Sequence, residues 1–116
     1  MDDDSIFFKY TIEDAENDGV LFKIFQVNPD WERGIFSHVT TNLLSYGYEE
    51  GGIINLPNLI DLLNQSLEIV KKASKNFENY DYFFSGEIEL PSGQKQKIFI
   101  QANEIGKFTI MLLEDY

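Results

Sequence analysis

Residues 82–113 read YFFSGEIELPSGQKQKIFIQANEIGKFTIMLL. Apolar side chains alternate with polar or charged ones in three runs, which is the period of a β-strand with one buried face. Two short loops, Pro91-Ser92-Gly93 and Glu104-Ile105-Gly106, separate the runs, and each ends in a glycine that adopts a positive φ without steric cost. The stretch therefore predicts three consecutive antiparallel strands at the C-terminal end of the chain.

The length of these loops predicts the strand register, because a slip of one residue would turn every core side chain to the other face. A three-residue loop places apolar residues opposite apolar residues, whereas a two-residue loop would place Leu90 opposite Lys95. The expected pairs are Leu90–Gln94, Glu89–Lys95, Glu87–Lys97, Phe84–Ile100, Ala102–Phe108 and Ile100–Ile110.

The N-terminal part shows a similar alternation. Residues Ser5–Ile12 predict one strand and residues Val20–Val27 a second, which is apolar on both faces. A three-residue hairpin loop at Asn17-Asp18-Gly19 would join the two strands. The expected pairs across that hairpin are Ile12–Ile24 and Glu13–Lys23.

The middle of the chain predicts two helices. The first begins at Asn28-Pro29, an N-cap residue followed by a proline suited to the first turn. Its apolar residues follow helical spacing: Trp31, Ile35, Phe36, Val39, Leu43 and Leu44. The second helix runs from Pro57 to Phe77, with an inner face of Leu59, Ile60, Leu63, Leu67, Val70 and Phe77.

The element order ββααβββ predicts an α+β fold, with one domain over residues 1–116. The simplest packing is an antiparallel sheet of about five strands with both helices on one face. One face of that sheet would then be uncovered and rich in apolar residues: Phe7, Leu21, Phe25, Val27, Phe83, Phe99, Met111 and Leu113. Such a face suits an interface, including a homodimer, unless one helix covers each face.

Charge limits the classes of function. The chain has 20 acidic and 9 basic residues, a net charge of -11, and it has no cysteine, one histidine and one arginine. An acidic surface repels phosphate backbones and attracts basic proteins, so direct nucleic-acid binding is disfavoured. The acidic N-terminus Met1-Asp2-Asp3-Asp4-Ser5 is unlike a secretion signal, and no apolar run reaches the ~20 residues of a membrane span. We expect a cytoplasmic protein with no membrane contact.

Motifs that would indicate catalysis or metal binding are incomplete. The segment Asp14–Gly19 resembles the start of a calcium-binding loop, but Phe25 occupies the position of the bidentate glutamate, which favours a hairpin turn. His38 lies off the apolar stripe of the first predicted helix, which favours a surface histidine. Because no nucleophile motif accompanies it, we expect no enzymatic activity, cofactor or metal.

Two acidic stretches are candidate binding surfaces. The first lies around the predicted N-terminal hairpin, and the second is an acidic and aromatic loop between the predicted helices. Tyrosine anchors surrounded by carboxylates suit a basic protein surface. The candidate partner-binding residues are Glu13, Asp14, Glu16, Asp18, Tyr46, Tyr48, Glu49 and Glu50.

In size, acidity, absence of cysteine and compact α+β pattern, the chain resembles the small immunity proteins that bacteria pair with polymorphic or contact-dependent toxins. The resemblance implies a cytoplasmic inhibitor that blocks the basic substrate groove of a toxin nuclease. Two other hypotheses stay open: a nucleic-acid-mimicking inhibitor, and a structural or oligomeric domain that uses the apolar sheet face. An enzyme ranks last, because no reactive constellation supports it.

Overall fold

The computed structural model describes residues 11–76 and 83–115, which form one compact domain of mixed α and β content. The five-stranded sheet contains β1 (Leu21–Lys23), β2 (Phe36–Thr40), β5 (Phe83–Glu89), β6 (Lys95–Ala102) and β7 (Phe108–Met111), in the spatial order β1-β2-β7-β6-β5. A separate hairpin consists of β3 (Glu49–Glu50) and β4 (Ile53–Ile54). The helices are α1 (Ile12–Asn17), α2 (Thr41–Leu44) and α3 (Leu56–Asn76). Three 3₁₀ turns lie at Ile24–Gln26, Pro29–Arg33 and Leu113–Asp115.

Strands β5, β6 and β7 form a C-terminal meander with the predicted register. Glu89 lies opposite Lys95, and the ladder between β6 and β7 pairs Ile100 with Ile110. The other predicted ladder pairs are Glu87–Lys97, Phe84–Ile100 and Ala102–Phe108, and all three form. The first loop closes when the Leu90 amide donates to the Gln94 carbonyl at 2.8 Å. Gly93 and Gly106 have φ values of 94° and 79°, which explains a glycine at the third position of each loop.

The segment from Pro29 to Leu44 departs most from the sequence prediction. It forms a 3₁₀ turn, strand β2 and the one-turn helix α2 instead of a single helix. Asn28 caps the 3₁₀ turn as expected, since its Oδ1 accepts from the Asp30 amide at 3.0 Å. The chain after Gly34 forms a strand and not a helix because Val39 and Thr40 are β-branched, and because β2 gains backbone hydrogen-bond partners from strands on both sides.

The sheet is mixed, so the prediction of an antiparallel sheet is wrong at one pair. Strand β2 runs antiparallel to β1 and parallel to β7. A bulge between Phe36 and His38 shifts the register, so that Phe36 and Val39 pack in the core while His38 pairs with Thr109 on the other face. A parallel neighbour requires a long crossover connection, and here α3 and the other two meander strands supply it.

The N-terminal hairpin prediction is also wrong. Residues 5–10 of its first strand lie outside the described residues, and Thr11 is the N-cap of helix α1. Thr11 Oγ1 accepts from the Asp14 amide at 3.1 Å, and Asp14 Oδ2 accepts from the Thr11 amide at 3.2 Å. This capping box stabilises a helix where a strand was expected, and Gly19 follows its C-terminal end with a φ of 77°. Lys23 pairs with His38 of β2 instead, and the predicted second strand ends there because Ile24 begins a 3₁₀ turn.

Helix α3 confirms the second predicted helix: it begins one residue before the predicted Pro57 and continues to Asn76, while the predicted last residue, Phe77, lies outside the described residues. Leu59 and Leu62 are fully buried on its inner face. The helix lies so close to β5 that a Cβ on Gly86 would come within 2.6 Å of Ile69 Cδ1. A glycine at this position therefore permits the close approach of helix and sheet.

A helix lies on each face of the sheet in the described residues. Helix α3 covers the core face, while α1 lies on the opposite face, where Ala15 is buried and Glu16 contacts His38. The prediction that one apolar face of the sheet is left uncovered is therefore wrong in part. Phe25 and Val27 pack against the core instead, Met111 is buried, and Phe7 lies outside the described residues. Phe83 and Phe99 stack on the opposite face with ring centroids 5.4 Å apart.

Candidate functional site

The acidic and aromatic loop folds into the β3–β4 hairpin. Glu50 lies opposite Ile53, and the two residues between them, Gly51 and Gly52, have φ values of 62° and 85°. Two positive φ angles in succession define the tight turn whose twist suits a two-residue hairpin, and glycine adopts them at little cost. The carboxylate of Glu49 accepts from the Gly52 amide at 2.5 Å, which ties the turn to its own strand.

The base of the hairpin is fixed to the rest of the domain. The Asn55 amide donates to the Tyr48 carbonyl at 2.9 Å, and Asn58 Nδ2 of helix α3 donates to the Gly47 carbonyl at 2.9 Å. A Cβ on Gly47, whose φ is 108°, would lie 2.9 Å from the Pro91 ring, so the hairpin also packs against the first meander loop. The hairpin is therefore held by both α3 and the meander.

The outer surface of the hairpin combines an exposed apolar side chain with the unpaired carboxylate of Glu50. Ile53 is 75% exposed, and Glu50 beside it is exposed. No ion pair between described residues involves Glu49 or Glu50. Tyr46 precedes the hairpin and is 39% exposed. This surface offers one large apolar contact beside a negative charge, which is an arrangement suited to a basic protein partner.

Tyr48 corrects the predicted binding set. Its side chain is fully buried in the core, so it anchors the hairpin and does not reach a partner. Its hydroxyl has no hydrogen-bond partner within the described residues. Burial, with a smaller contribution from the negative charge of Asp61, raises the pKa of Tyr48 to about 12.

The four predicted acids of the N-terminal stretch have different environments. Glu13, Asp14 and Asp18 are exposed, and the Asp14 side chain also belongs to the capping box of α1. Glu16 is mostly covered, because its Oε2 lies 2.5 Å from Nε2 of the fully buried His38. Glu16 therefore contributes to packing of α1 on the sheet and presents little surface to a partner.

His38 is buried, so the prediction of a surface histidine is wrong. Its Nδ1 lies 2.6 Å from Ser37 Oγ, and its Nε2 contacts Glu16. Asn103 Nδ2 donates to Ser37 Oγ at 2.9 Å, while Asn103 Oδ1 accepts from the amides of Ile105 and Lys107. Because Ser37 accepts from Asn103, its hydroxyl proton is available to His38 Nδ1, which in the neutral ring leaves Nε2–H to donate to Glu16.

This network has the composition of a Ser–His–acid triad without the access that catalysis needs. Ser37 and His38 are each 0% exposed, so no substrate carbonyl reaches the hydroxyl. The arrangement satisfies polar groups that the bulge in β2 places inside the protein. Its place in the fold is structural.

The two predicted acidic stretches both lie next to the short helix α2. Thr41, the first residue of α2, donates through Oγ1 to the Gly19 carbonyl at 2.7 Å, just beyond Asp18. The other end of α2 leads through Tyr46 into the hairpin. Asn42 Nδ2 donates to carboxylates of Glu114 and Asp115, at 3.1 and 3.2 Å, which adds two acids at this end of the sheet.

Sequence reasoning missed three residues at this end of the molecule. Ile53 was not among the predicted binding residues, and the hairpin geometry exposes it. Glu114 and Asp115 gave no signal, because their position depends on the parallel pairing of β2 with β7. Within residues 11–76 and 83–115, no group of three or more His, Cys, Asp or Glu side chains is arranged to hold a metal ion.

None of the helices described here is both long enough and apolar enough to cross a membrane. Comparison of the chain with family models, with curated proteins and with solved structures finds no match.

Proposed function

We propose that this protein is an acidic inhibitor that docks on a basic partner through the β3–β4 hairpin and the adjoining end of the sheet. The observation that carries the proposal is the 75% exposed Ile53 beside the unpaired carboxylate of Glu50, on a hairpin tied to both α3 and the meander. Protein complexes usually bury large apolar residues at the centre of the interface and place charged residues at its rim.

The net charge of -11 supports a basic partner. Unpaired carboxylates attract a positive surface over roughly 8–10 Å at physiological salt, which speeds encounter more than it slows dissociation. Ile53 supplies the short-range part of the binding, because transfer of an exposed isoleucine into a dry interface contributes about 1.5–3 kcal/mol.

A bacterial toxin nuclease is the partner class that fits this chemistry best, since its substrate groove must be basic to hold a phosphate backbone. The carboxylates would occupy positions that phosphates take in the substrate, and the hairpin would occlude the groove. This is the mode of action implied by the resemblance to small acidic immunity proteins. The inhibitor would act in the cytoplasm, where a nuclease meets its nucleic acid.

The test compares three tagged proteins in pull-downs from the host lysate at low and high salt. Wild type should capture a basic protein in stoichiometric amount, and Ile53→Ser should weaken the isolated complex at least about tenfold. Glu50→Lys should slow association several-fold at low salt and have little effect at high salt. Glu49 is left intact because its carboxylate holds the turn.

Glu104→Lys is the matched control. It makes the same change in charge on the exposed β6–β7 turn. That turn lies at one end of the sheet, and the hairpin packs against the β5–β6 loop at the other end. The captured protein should be a nuclease, and adding wild type in equal amount should abolish its activity. Equal binding by wild type and Ile53→Ser, or equal slowing by Glu50→Lys and Glu104→Lys, would remove the hairpin from the interface. Self-association alone would favour the structural alternative.

A further inference from the structure

A cavity of about 430 Å³ lies between the 3₁₀ turn at Pro29–Arg33 and helix α3, apart from the hairpin. Its apolar walls come from the 3₁₀ turn at Ile24–Gln26, from the start of β2 with the residue before it, and from α3: Ile24, Ile35, Phe36, Ile60, Leu63 and Leu67. Ile35 and Ile60 are 37% and 41% exposed, so apolar surface is open to solvent at the rim. The volume falls within the ~300–1,000 Å³ typical of small-molecule sites.

Asp30 is the one charged residue among those that line the cavity. Trp31 and Asn64 also lie among the residues that line it. No hydrogen bond or ion pair between described residues engages the side chain of Asp30 or Asn64. The Asp30 amide donates to Asn28 Oδ1 at 3.0 Å, which holds the backbone of Asp30 in the turn.

We propose that this cavity binds a small amphipathic ammonium ion, with its hydrocarbon chain against α3 and its cationic group at Asp30 and Trp31. The apolar walls account for the chain, because each buried methylene strengthens binding by up to about fourfold. A carboxylate beside an indole ring suits a cation, through ion pairing and cation–π attraction. An anion would meet the Asp30 charge at short range and the charge of -11 at long range. This inference goes beyond protein binding by the hairpin and does not depend on it.

The protein contains its own reporter for this site, since Trp31 is its one tryptophan. Titration with octylammonium should change Trp31 fluorescence in a saturable way, and hexylammonium should bind roughly tenfold more weakly. Octanoate and 1-octanol present the same chain length with a negative and a neutral group. Octanoate should bind more weakly than octanol, and octanol more weakly than octylammonium.

Two variants separate the charge of the cavity from the charge of the whole protein. Asp30→Asn should raise the dissociation constant of octylammonium about two- to fivefold, the range of an ion pair at an exposed carboxylate, and leave that of octanol unchanged. Glu50→Gln removes the same charge from the hairpin, outside the cavity lining, and should leave both constants unchanged. Ile60→Ser alters an exposed wall residue and should weaken octylammonium and octanol alike.

Circular dichroism of each variant confirms that the fold is retained. The proposal is overturned if octylammonium gives no saturable change at millimolar concentration, if octanoate binds as tightly as octylammonium, or if Asp30→Asn and Glu50→Gln weaken octylammonium equally. The last result would assign the attraction to net charge instead of to Asp30.

Discussion

The C-terminal meander and the region from α1 to α2 form one sheet, yet they arise from different kinds of sequence information. In the meander, each strand pairs with its neighbour in the chain through a three-residue loop, so every contact between strands is local. In the other region, β2 lies between β1 and β7, and β7 begins 68 positions after Thr40. Local pairing can be deduced from loop length and alternation, whereas the position of β2 depends on residues distant in the chain.

The strongest test of this comparison is at the strand that joins the two regions. Ile110 of β7 is fully buried and pairs with Ile100 in the meander and with Val39 in β2. Ile110→Ala should lower the free energy of unfolding by about 2–5 kcal/mol, through lost apolar burial and the cavity that remains. Urea denaturation measures the loss.

Trp31 fluorescence reports on the region from α1 to α2, and the far-ultraviolet circular dichroism of the whole domain reports on both regions. The two transitions should coincide in wild type and in Ile110→Ala, because both regions share β7. Ile105→Ala is the control. Because Ile105 is 51% exposed on the β6–β7 turn, this substitution should lower the free energy of unfolding only slightly. Separate transitions in wild type would mean that the meander folds without the other region.

A second test addresses how α1 is held on the sheet. Glu16→Ala removes the partner of His38 Nε2 and leaves a buried polar ring atom unsatisfied. The expected loss of stability is about 1–3 kcal/mol, measured by thermal or urea denaturation. Glu16→Gln retains a hydrogen-bond acceptor and should lower the stability less than Glu16→Ala does.

Glu13→Ala is the matched control for this helix, because Glu13 is exposed on the same helix. A loss from Glu13→Ala as large as that from Glu16→Ala would mean that the acid acts through helix stability and not through His38. Such a result would also remove α1 as a fixed cover of the second sheet face.

Sequence reasoning was reliable where one local rule decided the structure. The register of the meander followed from loop length and from the alternation of apolar residues, and helix α3 followed from its apolar stripe. The segment from 29 to 44 satisfied a helical stripe as well, but Val39 and Thr40 gained strand partners that no local pattern contains. At the N-terminus, the capping box Thr11–Asp14 was present in the sequence and was overlooked in favour of alternation.

The candidate site shows the same division. The sequence located an acidic loop between two elements and placed Tyr46, Glu49 and Glu50 in it. It could not show that Tyr48 is buried or that Ile53 is exposed, because only the hairpin geometry distinguishes two apolar side chains five residues apart. Burial of His38 likewise depends on α1 and on the bulge in β2.

The smallest expected effect is at the link between the two regions, where Tyr48 anchors the hairpin. Tyr48→Phe removes a buried hydroxyl that has no partner within the described residues. At neutral pH the variant should be more stable than wild type by about 1 kcal/mol, because no buried polar group is left unsatisfied. Its control is Tyr46→Phe, which removes a hydroxyl from an exposed side chain and should change stability little.

The pH dependence has a definite sign. Tyr48 has a raised pKa of about 12 in the folded protein, so the fold favours its neutral form. In the unfolded chain the group titrates at its ordinary value of 10.0, and above that pH the unfolded state binds fewer protons than the folded state. Stability contributed by this group is therefore present below about pH 10 and is lost as the pH rises towards 12.

The advantage of Tyr48→Phe over wild type should accordingly widen between pH 10 and 12. Urea denaturation of both proteins across this range measures the difference, and the titrating groups that they share cancel in the comparison. Tyrosinate absorbance should also show one residue in wild type that ionises later than the rest and is missing in the variant. A constant difference across the range would mean that the Tyr48 hydroxyl reaches water, and the hairpin would then be less firmly anchored than its packing indicates.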